Sequence, residues 1–231
     1  SGLEVLARYS QIVLMTLVLL FCLESILLAQ DMDPSNLLPF MDIPISEMLL
    51  AIQNVAAIPF GEAIVFLIFI NLVSAPLEAG RFMRRSFLFS GILLVLYAVR
   101  TIAVLGTHST ISTYPAFAAV RIINIGEVFT RLEILLAVVF LSLGFVKGSV
   151  FYYGAVLGFS QLLKMRSHTP LILPIGALLL NISTLLFDEY IYDIIDANML
   201  FPLYSMVFAF FLPLLTLIVA KIQKRRTQKG E

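Results

Sequence analysis

From Tyr9 to Ala29 the chain runs 21 residues with a single charged side chain, Glu24, and apolar stretches of this kind recur five more times. A helix needs about 20 mostly apolar residues to cross the hydrocarbon of a bilayer. The pattern predicts an all-α, polytopic membrane helix bundle with spans near residues 9–29, 46–72, 87–106, 129–163, 170–187 and 198–222. Composition agrees: 60% of residues are hydrophobic and 13% charged, where a soluble domain carries about 25% charged residues. The fourth stretch has 35 residues. As a straight helix it would measure about 52 Å, so it must tilt, bend or project into water.

Basic residues orient these spans. Arg8, Arg81, Arg84, Arg85, Lys164, Arg166, Lys221, Lys224, Arg225, Arg226 and Lys229 fall on one side, eleven of the fifteen in the chain. Asp31, Asp33, Asp42, Asp188, Glu189, Asp193 and Asp196 fall on the other. Excess Lys and Arg marks the cytoplasmic side. Six crossings with both termini cytoplasmic fit every connection. Residues 1–231 read as one transmembrane domain. The start, Ser1-Gly2-Leu3, has neither an initiator methionine nor a signal-peptide pattern, and the chain reads as the C-terminal part of a longer protein.

Several chemistries find no support. One cysteine, Cys22, forms no internal disulfide or cysteine metal cluster, and His108 and His168 lie in separate connections. No nucleophile elbow, phosphate-binding glycine loop or basic nucleic-acid stripe is present. An enzyme would need a nucleophile–base pair or a metal set within the spans, and the sequence presents neither. No cofactor is expected.

The second span carries Pro59-Phe60-Gly61-Glu62 in its middle. Proline removes a backbone donor and glycine tolerates unusual dihedrals, so the pattern predicts a helix broken at residues 59–61. Discontinuous helices with an ionisable group at the break build binding sites near the midplane of many transporters. In that reading the second half-helix directs its positive end at an anionic group, and Glu62 binds an amine or carries a proton. In the other, Pro59 opens a helix and Glu62 satisfies its first turn. Gln53 and Asn54 either line a vestibule or bond to neighbouring helices.

Five further charges form a candidate network: Arg100, Glu127, Arg131, Glu133 and Lys147. Arg100 sits within the third span and either snorkels to the interface or meets an acid, with Glu62, Glu127 and Glu133 as the candidates. Glu24 is expected to find a local partner. Glu127 and Arg131, four apart, share a helical face. Tyr114 to Asn124 is expected to form a short helix, with Gly126 as a corner. Lys147 lies near the centre of the fourth span between Gly144 and Gly148, and Gly154 and Gly158 repeat that spacing, which permits close helix packing.

At these residues the sequence resembles the permease-type B subunits of spore germinant receptors. The resemblance rests on Pro59-Phe60-Gly61-Glu62-Ala63, Tyr114-Pro115, Val120-Arg121, Ile125-Gly126-Glu127, Arg131-Leu132-Glu133, Phe151-Tyr152-Tyr153, Leu157-Gly158 and Pro170-Leu171. It implies the fold of the amino acid–polyamine–organocation superfamily, two inverted five-helix repeats with broken first and sixth helices. This chain would hold the fifth helix and the whole second repeat, helices six to ten. The resemblance further implies a small, amino acid-like germinant, A and C partner subunits, and a place in the spore inner membrane. A working amino acid or polyamine transporter of the same fold is the alternative, and a purely structural bundle a further one.

Overall fold

The computed structural model describes residues 2–73, 75–122, 132–186 and 205–227. Its elements are helical throughout, with no strand among the described residues. Helix α1 spans Gly2–Leu27 and ends in a 3₁₀ turn, Leu28–Gln30. Helix α2, Ile45–Val55, continues through a π-turn, Ala56–Phe60, into a 3₁₀ segment, Gly61–Leu72. Helix α3 is Pro76–Leu105, α4 is His108–Ile111, α5 is Pro115–Val120, α6 is Leu132–Leu162 and α7 is Ile172–Leu186. A second π-turn, Val207–Phe211, leads into α8, Leu212–Thr227.

Among the described residues, four helical stretches are long and apolar enough to cross a membrane: Gly2–Gln30, Ile45–Ile70, Glu78–Leu105 and Glu133–Leu162. The described parts of the fifth and sixth expected spans form shorter apolar helices, Thr169–Leu185 and Val207–Gln223. Their apolar side chains face outward on every side; Leu19, Leu141 and Leu173 are 66%, 76% and 84% exposed. In water such surfaces would drive aggregation; here the solvent is lipid, and the fold is of the all-α, polytopic membrane type. Helix α3 begins eleven residues before the expected 87 and takes Arg81, Arg84 and Arg85 into its first turns. Proline at its first position costs no hydrogen bond there. Helix α6 has 31 residues, about 46 Å, close to the expected span.

The contacts divide the chain into two units, Ser1–Asp42 with Leu77–Phe151, and Ile43–Pro76 with Tyr152–Glu231. In the first, Leu28, Ala116, Ala119, Val120 and Leu136 form a buried core, flanked by Leu23, Tyr97, Val104 and Phe117. The Phe117 and Phe140 rings stack on its edge, 5.6 Å between centroids. A short 3₁₀ turn, Pro34–Leu37, closes the end of α3: Asp33 N–H and Asn36 Nδ2 donate to the Ala103 carbonyl at 3.0 and 2.9 Å. Gly106 reverses the chain there at φ +53°, and its N–H bonds to Ile102 O at 2.8 Å, the left-handed ending that favours glycine.

In the second unit, Gly154 and Gly158 of α6 seat the 3₁₀ segment. A Cβ at Gly154 would lie 2.8 Å from Val65 Cγ2, and one at Gly158 3.3 Å from Ile68 Cδ1. Phe69 stacks on Tyr153 at 5.9 Å, and Tyr153 meets His168 edge-on at 5.6 Å. The Tyr152 hydroxyl donates to the Ile172 carbonyl and lies over Gly176. Gly144 and Gly148, the other pair at this spacing, have nothing within 4 Å of where a Cβ would stand.

Candidate functional site

The expected discontinuity in the second span takes the form of a change of winding. Residues 45–55 are α-helical, 56–60 make a π-turn and 61–72 are 3₁₀. The backbone stays in the right-handed region through the junction, with Phe60 at φ −98° and Gly61 at φ −65°. Pro59 explains where the α-helix gives way. It has no N–H for the Val55 carbonyl, and its ring crowds that carbonyl. A 3₁₀ run of twelve residues is long for this geometry, and π-turns and mid-helix 3₁₀ stretches gather at functional sites and hinges. Glu62 follows the junction directly, in the first turn of the 3₁₀ segment, and is half-buried.

Gly61 sits where this winding change meets a second one. A Cβ on Gly61 would lie 3.0 Å from Ala209 Cβ, 3.1 Å from Ala56 O and 3.8 Å from Phe210 Cε2. Ala209 belongs to the π-turn Val207–Phe211, in which Leu212 N–H bonds to the Val207 carbonyl. The cause is again a proline. Residue 213 would supply the α-helical donor to the Ala209 carbonyl, and Pro213 has none. The two prolines thus widen two helical turns, and the turns pack at the one position lacking a side chain. Sequence reasoning passed over Ala209 and Phe210. Pro213, four residues beyond Ala209, is the signal that could have found them.

Three charges of the expected network, Arg100, Glu133 and Lys147, lie among the described residues. Arg100 does not snorkel. Its Nη1 lies 3.0 Å from Glu24 Oε2, and only 4% of each side chain is exposed. Phe21 lies beneath the guanidinium, 4.7 Å from Cζ to the ring centroid, and Tyr97 lies 5.6 Å away. Arg100 Nε and Thr101 Oγ1 are buried without a hydrogen-bond partner. Glu133 pairs with Arg121 at 3.0 Å, a pair well exposed on the arginine side. Lys147 stands 6.0 Å from the Phe151 ring centroid. Glu127 and Arg131, with Gly126, lie outside the described residues. The short helix expected over 114–124 is α5, which ends at Val120.

Beside the Glu24–Arg100 pair lies a cavity of about 440 Å³, running along α1 from Leu14 to Glu24 and along α3 from Phe89 to Arg100. Its walls are almost wholly apolar. Glu24 and Arg100 are among the residues that line it, and there each neutralises the other. The chemistry available at the winding change is different. There a carboxylate stands in an apolar span next to backbone whose hydrogen bonding departs from the α pattern, the setting in which intramembrane ionisable groups serve binding or proton transfer.

Residues 1–190 match the family described as "Spore germination protein". The chain is 26% identical over 236 residues to "Spore germination protein KB" of Bacillus subtilis (strain 168), an alignment covering all of this chain and 63% of that protein. No solved structure matches. The chain belongs to the spore germination protein family of permease-like membrane proteins.

Proposed function

We propose that this chain is part of the membrane subunit of a spore nutrient-germinant receptor, and that it binds a small, amino acid-like germinant at Pro59, Phe60, Gly61 and Glu62. The observation that carries the reading is the passage from π-turn to 3₁₀ at Phe60–Gly61, with Glu62 next to it in an apolar span, in a chain of the spore germination family. Phe60 and Gly61 offer backbone groups to the ligand, and Glu62 offers its charge to an amine. Binding shifts the protein between two conformations by its differential affinity for them, and receptor A and C subunits read the shift. The subunit lies in the spore inner membrane with both ends of this chain cytoplasmic, the side that the eleven basic residues mark. On the inverted-repeat scaffold, α1 is the fifth helix and the 45–72 segment the sixth, so helices before α1 supply the rest of the site.

The test is Glu62→Gln in the complete subunit in spores. Loss of one charge-assisted hydrogen bond moves the germinant dose–response by about tenfold or more while subunit abundance stays unchanged. An unchanged dose–response at normal abundance removes Glu62 from the site. Uptake of labelled amino acid by the complete protein alone in proteoliposomes would instead favour the transporter reading.

A further inference from the structure

We infer that Ala209 is a positioning residue for the Glu62 site, acting through Gly61 on the winding of residues 56–62. The inference rests on the reading of Glu62 given above for its functional meaning, but not for its geometry.

A π-turn holds one residue more than the α-turn it replaces. A residue that passes from the 3₁₀ segment into the π-turn is carried around the helix axis, because the two windings hold different numbers of residues per turn. The first π-turn ends at Phe60, so Gly61 and Glu62 are the next residues over which it can move. Glycine gives the least conformational resistance to that movement. Glu62 would then turn toward a different neighbour with no change in the rest of the span.

What opposes the movement is on the other π-turn. Ala209 Cβ stands 3.0 Å from the place of a Gly61 Cβ, and Phe210 Cε2 stands 3.8 Å from it. Ala209 fills the place where a Gly61 side chain would stand, so a rewinding at Gly61 changes the surface that Ala209 covers. Ala209 is held in a turn that Pro213 keeps from closing into a regular α-helix. Each winding is therefore set with the other in place. Packed elements of this kind switch between discrete arrangements rather than deform continuously. A ligand that reorients Glu62 moves the 207–211 turn, and with it α8, which runs on to Thr227 and carries Lys221, Lys224, Arg225 and Arg226. The last helix is thereby the output arm of the site.

The experiment uses the complete protein in lipid nanodiscs, with Cys22→Ser and Glu62→Cys, and follows the rate at which position 62 reacts with a membrane-impermeant thiol reagent, without ligand. Ala209→Val is expected to change that rate by about tenfold. Phe208→Val, on the same turn at a side chain 61% exposed, is expected to leave it within about twofold. Gly61→Ala should also change the rate, and Ala209→Gly in that background should restore part of it, since it relieves one of two close contacts. Ala209→Gly alone is the variant to read if the valine protein does not fold, and it too should change the rate. Equal effects of Ala209→Val and Phe208→Val, or no relief of Gly61→Ala by Ala209→Gly, would overturn the inference. A shift in melting temperature with unchanged labelling would also overturn it, because a merely structural contact gives that result. If labelling responds as expected while Glu62→Gln spores germinate normally, the coupling stands and the germinant site at Glu62 fails.

Discussion

The Arg100 guanidinium and the Glu24 carboxylate meet at 3.0 Å although 76 residues separate them, and 4% of each side chain remains exposed. Ser25 Oγ and the Phe21 carbonyl lie at 3.5 Å from the same Nη1. The pair ties the last turns of α1 to those of α3 inside the first unit. A charge at that depth is costly alone and tolerable only when neutralised.

Breaking the pair from one side is expected to destabilise strongly. Glu24→Leu or Arg100→Met alone should each cost about 3–5 kcal/mol by leaving the other charge buried and unpaired. The double variant should recover most of the loss, because two apolar side chains of similar volume suit these surroundings. Denaturation of the purified protein in detergent, analysed as a double-mutant cycle, measures the coupling. Additive single effects would contradict the pairing.

Glycines at identical spacing should respond unequally. Gly154→Ala pushes a methyl into stiff, β-branched Val65 at 2.8 Å and should cost about 1–3 kcal/mol. Gly158→Ala meets only the flexible tip of Ile68 at 3.3 Å and should cost less. Gly144→Ala and Gly148→Ala enter open space and should stabilise the helix of this chain by up to about 1 kcal/mol. Melting temperatures of the four variants check the order.

At the end of α3, Gly106→Ala faces two penalties. The left-handed φ costs about 1–2 kcal/mol for a residue with a Cβ, and that Cβ would lie 2.8 Å from Asn36 Oδ1. In an Asn36→Ala background the steric part disappears and the conformational part stays. The substitution should therefore cost less there, even though Asn36→Ala itself loses the bond to Ala103 O. Thermal denaturation of the two single variants and the double variant separates the contributions.

Asp33 gives the turn at Pro34–Leu37 a pH dependence. Hydrogen bonding from the Ser35 side chain, and from the Ser35 N–H at 2.8 Å, holds its carboxyl below the ordinary aspartate range. Folding lowers the pKa, so the contribution is complete above the unfolded value, about 3.9, and disappears as pH falls through the lower folded value. Ser35 amide exchange should be level from neutral pH down to about that point and accelerate relative to neighbouring amides below it. Asp33→Asn keeps a capping oxygen and should abolish this step.

Glu62 and the glycine pairs show how far the sequence could be read. Pro59 marks the end of regular α-helix because a proline acts on its own turn, which is local chemistry. The sequence does not state whether the consequence is unwound peptide or a π-turn passing into 3₁₀, because that depends on what packs against Gly61. Nothing adjacent to Gly61 announces Ala209, 148 residues away. Arg100 presents the same difficulty: the sequence offers Glu62, Glu127 and Glu133 as its partners and a local partner for Glu24, and only the approach of α1 to α3 selects Glu24.

Length and hydropathy by themselves determined the solvent of this protein and its helical class, because a bilayer imposes a fixed thickness and leaves no backbone polar group unsatisfied. Proline positions determined where regular winding fails. The tertiary structure alone decided which acid neutralises Arg100, which glycines receive a neighbouring helix, and that the two proline-widened turns meet at Gly61. Those outcomes depend on contacts between segments far apart in the chain. Local sequence fixes the shape of each segment but not the face that another will cover.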